Sequence, residues 1–112
     1  MTKTWLWVRR KDRIEKMQGY ILEGDYCACK CIGLPWHPKA VSWEVVDAKS
    51  GIVIFRERSL KLARWALEAC EKAPFEMFKK RFKKEYQKCC EQIKSLNESK
   101  LGKEIRNGQN NN

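Results

Sequence analysis

Between Phe75 and Leu96 the apolar residues Phe75, Phe78, Phe82, Tyr86, Cys89, Ile93 and Leu96 follow one another at intervals of three or four. That spacing belongs to an amphipathic helix with one narrow apolar stripe. Read as one helix over 74–96, the stripe covers about 80° of the circumference of a rod roughly 35 Å long. Pro74 suits the first helical position, where its missing N–H has no partner to lose. Lys80, Lys84 and Lys88 fall opposite the stripe, with Arg81 and Lys83 beside them. Such a helix needs an apolar surface to lie on, and the residues before it must supply that surface.

Those residues read mostly as strands. Trp5-Leu6-Trp7-Val8 is aromatic and β-prone, with the two tryptophans on one face and Leu6 and Val8 on the other. A cationic run, Arg9 to Arg13, ends it, and 13–18 fits either a helical turn or a continuing strand. Gly24-Asp25 between Tyr20–Glu23 and Tyr26–Cys31 suits a two-residue hairpin loop. Its register would pair Glu23 with Tyr26, Leu22 with Cys27 and Tyr20 with Cys29. Tyr20, Leu22, Cys27, Cys29 and Cys31 would then share one buried face. Residues 33–39, with prolines at 35 and 38, read as a loop. A second hairpin joins Ser42–Asp47 to Ile52–Glu57 across Ala48-Lys49-Ser50-Gly51, with Gly51 left-handed and Asp47 capping the turn. Trp43, Val45, Ile52 and Ile54 form its core face, and Val46, Val53 and Phe55 the other.

Ser59 is placed to cap a helix running to about Ala73, where Ala73-Pro74 separates it from the next. The expected fold class is α+β: an antiparallel sheet of four or five strands in two hairpins, with two C-terminal helices packed on it, the second long and amphipathic. Residues 1–101 form a single domain, and 102–112 a polar tail with too little apolar area to offset its ordering entropy.

The 112 residues carry a net charge of +10, placed unevenly. Cationic side chains crowd residues 1–20 and 74–88, while the middle of the chain is nearly neutral. Nucleic acid and acidic protein surfaces are the partners such charge attracts. No apolar run is long enough to cross a membrane, and a membrane surface would compete with the core for the helix's apolar face. No signal peptide is visible, so six cysteines imply reduced thiols and a cytoplasmic setting.

The remaining constellations give little chemistry. Cys27, Cys29, Cys31 and His37 invite a metal reading, but alternate strand residues stand about 6.7 Å apart and point in parallel. They read better as small buried hydrophobes. One histidine, with no acid placed to orient it, does not make a nucleophilic site. Glycine-rich phosphate cradles are absent. No catalytic residue, metal or cofactor is assigned, and the chain is read as non-enzymatic.

The lysine-rich helix face stands above this background. Lys80, Arg81, Lys83, Lys84 and Lys88 fit phosphate-backbone binding. Trp65 beside Arg64, and Trp36 in its loop, add aromatic surface suited to base stacking or to a protein hot spot. The expected function is a small basic nucleic-acid-binding protein. The alternative is a protein–protein interaction module, an inhibitor or adaptor of the kind phages and mobile elements encode, docking on an acidic surface.

Overall fold

A five-stranded antiparallel sheet is followed by two C-terminal helices, of 22 and 16 residues, in an α+β fold. The computed structural model describes residues 1–34 and 37–99, and only the backbone of 32–34 and 37–40. Trp36 and the expected tail therefore lie outside the described residues. Strands β1 (Lys3–Arg9), β2 (Ile14–Glu23), β3 (Tyr26–Leu34), β4 (His37–Asp47) and β5 (Ile52–Glu57) pair in sequence order. The stretch 13–18, compatible in sequence with helix or strand, is thus mostly strand. The expected loop over 33–39 is corrected: β3 and β4 continue until Leu34 pairs with His37. That segment runs past the last β4–β5 pair, Trp43 with Glu57. One side of β4 is an open edge there, where Pro38 is tolerated.

The turns form as their residues dictate, but two bulges shift the strand register beyond them. Gly24 and Gly51 take positive φ, 55° and 78°. Asp47 holds the second turn, accepting from the Gly51 N–H at 2.7 Å and from Ser50 Oγ at 2.6 Å. Glu23 pairs with Tyr26, yet a register shift then sets Ile21 against Cys27 and Tyr20 against Ala28. One inserted residue exchanges the faces of everything beyond it. Cys27, Cys29 and Cys31 therefore do not share a face with Tyr20 and Leu22, as expected. A second shift, between Val45 and Val46, pairs Val45 with Phe55 and brings Phe55 to the Val45 side.

Both faces of the sheet are consequently cores. On one, Leu6, Val8, Cys27, Cys29 and Val46 cluster with Met17, Ala48 and Val53. No helix among the described residues covers this face. The sheet curls over it until the Arg9 N–H reaches the Gly51 carbonyl, 2.7 Å away. Gly19 permits the curl, since a β-carbon there would stand 2.6 Å from the Ala28 carbonyl oxygen and 2.9 Å from Cys29 Sγ. Arg10 reaches across the open side. Its Nε meets Glu15 at 2.9 Å and its Nη1 meets Glu44 at 2.8 Å.

The helices pack on the opposite face, around Tyr26, Val45, Ala63, Leu67 and Phe75. Ser59 caps the first, its side chain accepting from the Leu62 N–H at 3.1 Å. This helix comprises α1 (Leu60–Ala66), a π-helical segment (Leu67–Glu71) and α2 (Lys72–Arg81). It does not end at Ala73-Pro74. The Lys72 N–H bonds the Leu67 carbonyl, five residues back. That wider turn relieves the clash a proline ring makes with the preceding turn of an α-helix, so Pro74 sits within the run. The break falls instead at Phe82, with φ −113° and ψ 48°. Lys79, Lys80, Arg81, Lys83 and Lys84 flank it. An unbroken helix would stack Lys79 on Lys83 and Lys80 on Lys84, like charges one turn apart. The turn also sends α3 (Lys83–Glu98) back along the sheet. There Tyr86 OH donates to Asp47 at 2.6 Å and Trp7 Nε1 donates to Asn97 Oδ1 at 3.0 Å. Ile93 lies over Gly51.

The apolar stripe is therefore buried unevenly. Phe75 and Ile93 are 6% and 3% exposed, but Phe78 and Phe82 are 36% and 42% exposed. Phe75→Ala should cost about 3–5 kcal/mol, the usual loss for a buried phenylalanine. Phe82→Ala should cost far less, because water already reaches the ring. Thermal denaturation of the two variants checks this, and equal losses would contradict the packing described.

Candidate nucleic-acid interface

The break at Phe82 gathers the cations of two helices at one corner. Lys79, Lys80 and Arg81 occupy the last turn of α2, and Lys83 and Lys84 the first turn of α3. Lys79 is structural: it pairs with Glu76 at 2.7 Å and lies 5.6 Å from the Phe75 ring centre and 5.7 Å from that of Tyr86. The Lys79 ammonium, then the Tyr26 hydroxyl, hold the Glu76 carboxyl below the usual carboxylate range. Lys80, Arg81, Lys83, Lys84 and Lys88 are exposed. Among the described residues none of these five enters an ion pair. The straight ridge expected from Lys80, Lys84 and Lys88 is corrected to an elbow, because Lys80 lies on the far side of the bend.

Local stability does not favour this arrangement. A helix N-terminus carries partial positive charge, which Lys83 and Lys84 oppose and Glu85 in the same turn offsets only in part. Phe82, at the cap position of α3, makes no side-chain capping bond. A helix start without a side-chain cap thus lies beside ammonium groups free of ion pairs, a combination that suits an anion. Phe78 and Phe82 add partly open rings, 5.3 Å apart, with the Arg81 guanidinium 5.6 Å from the Phe82 ring centre. An open groove of about 850 Å³ runs on from the elbow along α3, lined by Lys83, Lys49 and Lys94 but also by the carboxylates Glu91 and Glu98.

Arg64 and Trp65 do not join this surface. They stand on α1, roughly 24 Å along the helix axis from Arg81 at 1.5 Å per residue. Arg64 lines a separate cleft with Leu22, Glu23, Leu67 and Glu68. Trp65 is 63% exposed, on a helix that also exposes Leu62 and Met77.

The two most deeply buried thiols, Cys27 and Cys29, are not placed as nucleophiles. All six cysteines are unbridged. Burial, with nearby carboxylates, pushes Cys27 up to about 11. Burial, with the neighbouring thiols, pushes Cys29 up to about 12. Neither supplies a thiolate at neutral pH. Among the described residues no three His, Cys, Asp or Glu side chains converge as a metal site requires. No helix among them is long and apolar enough to cross a membrane.

Comparisons with models of protein families, with curated proteins and with solved structures each return no match.

Proposed function

We propose that this is a small, basic, non-enzymatic protein that binds nucleic acid through the elbow formed by Lys80, Arg81, Lys83, Lys84 and Lys88. The observation that carries this reading is five exposed, unpaired cations gathered around an uncapped helix N-terminus. The fold gains nothing evident from them. Phosphates would pair with these cations and release condensed counterions, so binding would come mainly from charge and carry little sequence preference. Unbridged thiols support a cytoplasmic setting.

The test is a titration of the purified protein against a labelled mixed-sequence duplex across a range of salt concentrations. Log affinity should fall linearly with log salt. Failure to bind at low ionic strength would end the reading.

A second reading has one observation in its favour. Leu62, Trp65 and Met77 leave apolar surface on the outer helix, the kind of anchor a protein partner buries. On this reading the chain is an inhibitor or adaptor that docks on an acidic protein surface, and Trp65→Ala would abolish capture of that partner while leaving duplex binding intact.

A further inference from the structure

The helices leave part of their sheet face bare. Helix α3 meets β1 at Trp7, and α1 packs over β4 and β5. Between them lies a patch built from strand residues. Lys3 pairs with Tyr20 and Trp5 with Gln18 across β1 and β2, while Lys30 pairs with Trp43 across β3 and β4. Strand alternation turns these side chains to the helix side of the sheet. Tyr20 and Trp43 have ring centres 6.0 Å apart, tilted by 50°. With Lys3, Gln18, Gly19 and Lys30 they line a cleft of about 350 Å³ that no helix residue enters. Beside it Trp5 is 43% exposed.

The charge on this patch is positive. Lys3 and Lys30 are exposed, and among the described residues neither joins an ion pair. Lys16, on the same side, sits 5.5 Å from the Trp7 ring centre. Glu57, opposite Trp43, places one carboxylate at the margin. Flat rings interleaved with unpaired ammonium groups on a rigid sheet match one ligand chemistry closely. Each base of an unpaired strand offers a π-face to a ring, and each phosphate offers an anion to a lysine. A duplex keeps its base faces stacked inside and gains only the charge. An acidic peptide would satisfy the lysines and leave the rings without partners.

We infer that the sheet face carrying Lys3, Trp5, Gln18, Tyr20, Lys30 and Trp43 is a second binding site, which takes the unpaired bases of a single-stranded nucleic acid. Trp5 stacks one base, the open sides of the half-buried Tyr20 and Trp43 take its neighbour, and Lys3 and Lys30 hold the flanking phosphates. The site goes beyond the elbow and does not rest on it, since the elbow takes phosphates of any strand.

The experiment uses the full chain with oligo-dT, oligo-U and a duplex of equal length, read by tryptophan fluorescence and by anisotropy of a labelled strand. Both single strands should quench the tryptophan signal, and the duplex should not. Trp5→Ala should weaken single-strand binding by about 5- to 150-fold, the range for one lost base–aromatic stack. Trp5→Phe should recover much of the loss, and neither should change duplex affinity. Because Trp5 is 43% exposed, the variant should stay folded and lose only a little melting temperature. The double change Lys3→Ala, Lys30→Ala should flatten the single-strand salt dependence and leave the fold intact. A preference between oligo-dT and oligo-U reports the 2′-hydroxyl and the thymine methyl together and is consistent with the site. Duplex binding without quenching by either single strand overturns this site and leaves the elbow standing. A Trp5→Ala variant that binds single strands like wild type, or one that loses duplex and single strand equally, also overturns it.

Discussion

Glu44→Ala is expected to destabilise the fold by about 3–5 kcal/mol, the usual result of removing one partner from a buried ion pair. The side chain is fully buried, yet it is charged. Arg10 and Arg56 each approach Glu44 Oε2 at 2.8 Å, and Cys31 Sγ donates to Oε1 at 2.6 Å. Arg10 is 19% exposed at its side chain and also holds Glu15, so it cannot simply swing into water when the carboxylate goes. Arg56, at 54%, can. A domain of this size holds about 5–15 kcal/mol in total. Each kcal/mol shifts the melting temperature by about 4–8 °C. A drop well beyond about 10 °C should therefore be seen. The double change Arg10→Met, Glu44→Leu should recover much of it, because an apolar pair needs no compensating charge. A Glu44→Ala protein that melts like wild type would show that the curled face is not closed by this cluster.

The same carboxylate sets a pH dependence. Burial would raise its pKa, but the hydrogen bonds from Cys31 and Arg10, the charge of Arg10 and the bond from Arg56 outweigh that and hold it below the usual range. A depressed folded pKa gives stability that is complete above the unfolded value, about 4.3, and lost as the pH falls through the folded one. The stability gap between wild type and Glu44→Gln should then narrow as the pH drops below about 4. A gap that stays constant into acid would mean the carboxylate is not held charged by its neighbours.

Glu44 also shows why part of this molecule is legible in sequence and part is not. Local chemistry shows through. Gly24, Gly51, Asp47 and Ser59 take the turn and cap roles their residue types suggest, and the α+β class follows from strands preceding amphipathic helices. Features set by distant residues do not show. Glu44 looks like any charged strand residue until Arg10, remote in sequence, is folded against it. The two bulges have no marker residue, and the first one exchanges the face of Tyr20 relative to the cysteines. That exchange hides the platform of Tyr20, Trp43 and Lys30, although the alternation of Lys3, Trp5 and Trp7 in β1 is a readable hint. The elbow is similar. Pro74 looks like the break and is absorbed by a π-turn, whereas Phe82 has no glycine or proline to announce it.

That elbow makes the largest functional prediction. The triple change Lys80→Ala, Lys84→Ala, Lys88→Ala should reduce the slope of log affinity against log salt by about 2.7 on duplex DNA, from roughly 0.9 for each phosphate contact. The three side chains are exposed and alanine is a strong helix former, so the melting temperature should barely move. Removing like charges around the bend should, if anything, stabilise it. The sharper comparison lies within the elbow. Lys79 already pairs with Glu76, and Lys79→Ala should change the salt slope little while lowering stability through the Phe75–Tyr86 cluster it packs against. Lys83→Ala or Lys84→Ala, at the uncapped start of α3, should each remove about one phosphate's share of the slope. The ordering, Lys83 and Lys84 above Lys79, is set by which cations the fold already uses, not by their number along the chain. If Lys79→Ala flattens the slope as much as Lys84→Ala does, binding follows net charge alone and the elbow is not the interface. If the triple variant keeps the wild-type slope, phosphates bind elsewhere, and Trp65 on the outer helix becomes the first residue to truncate in search of a protein partner.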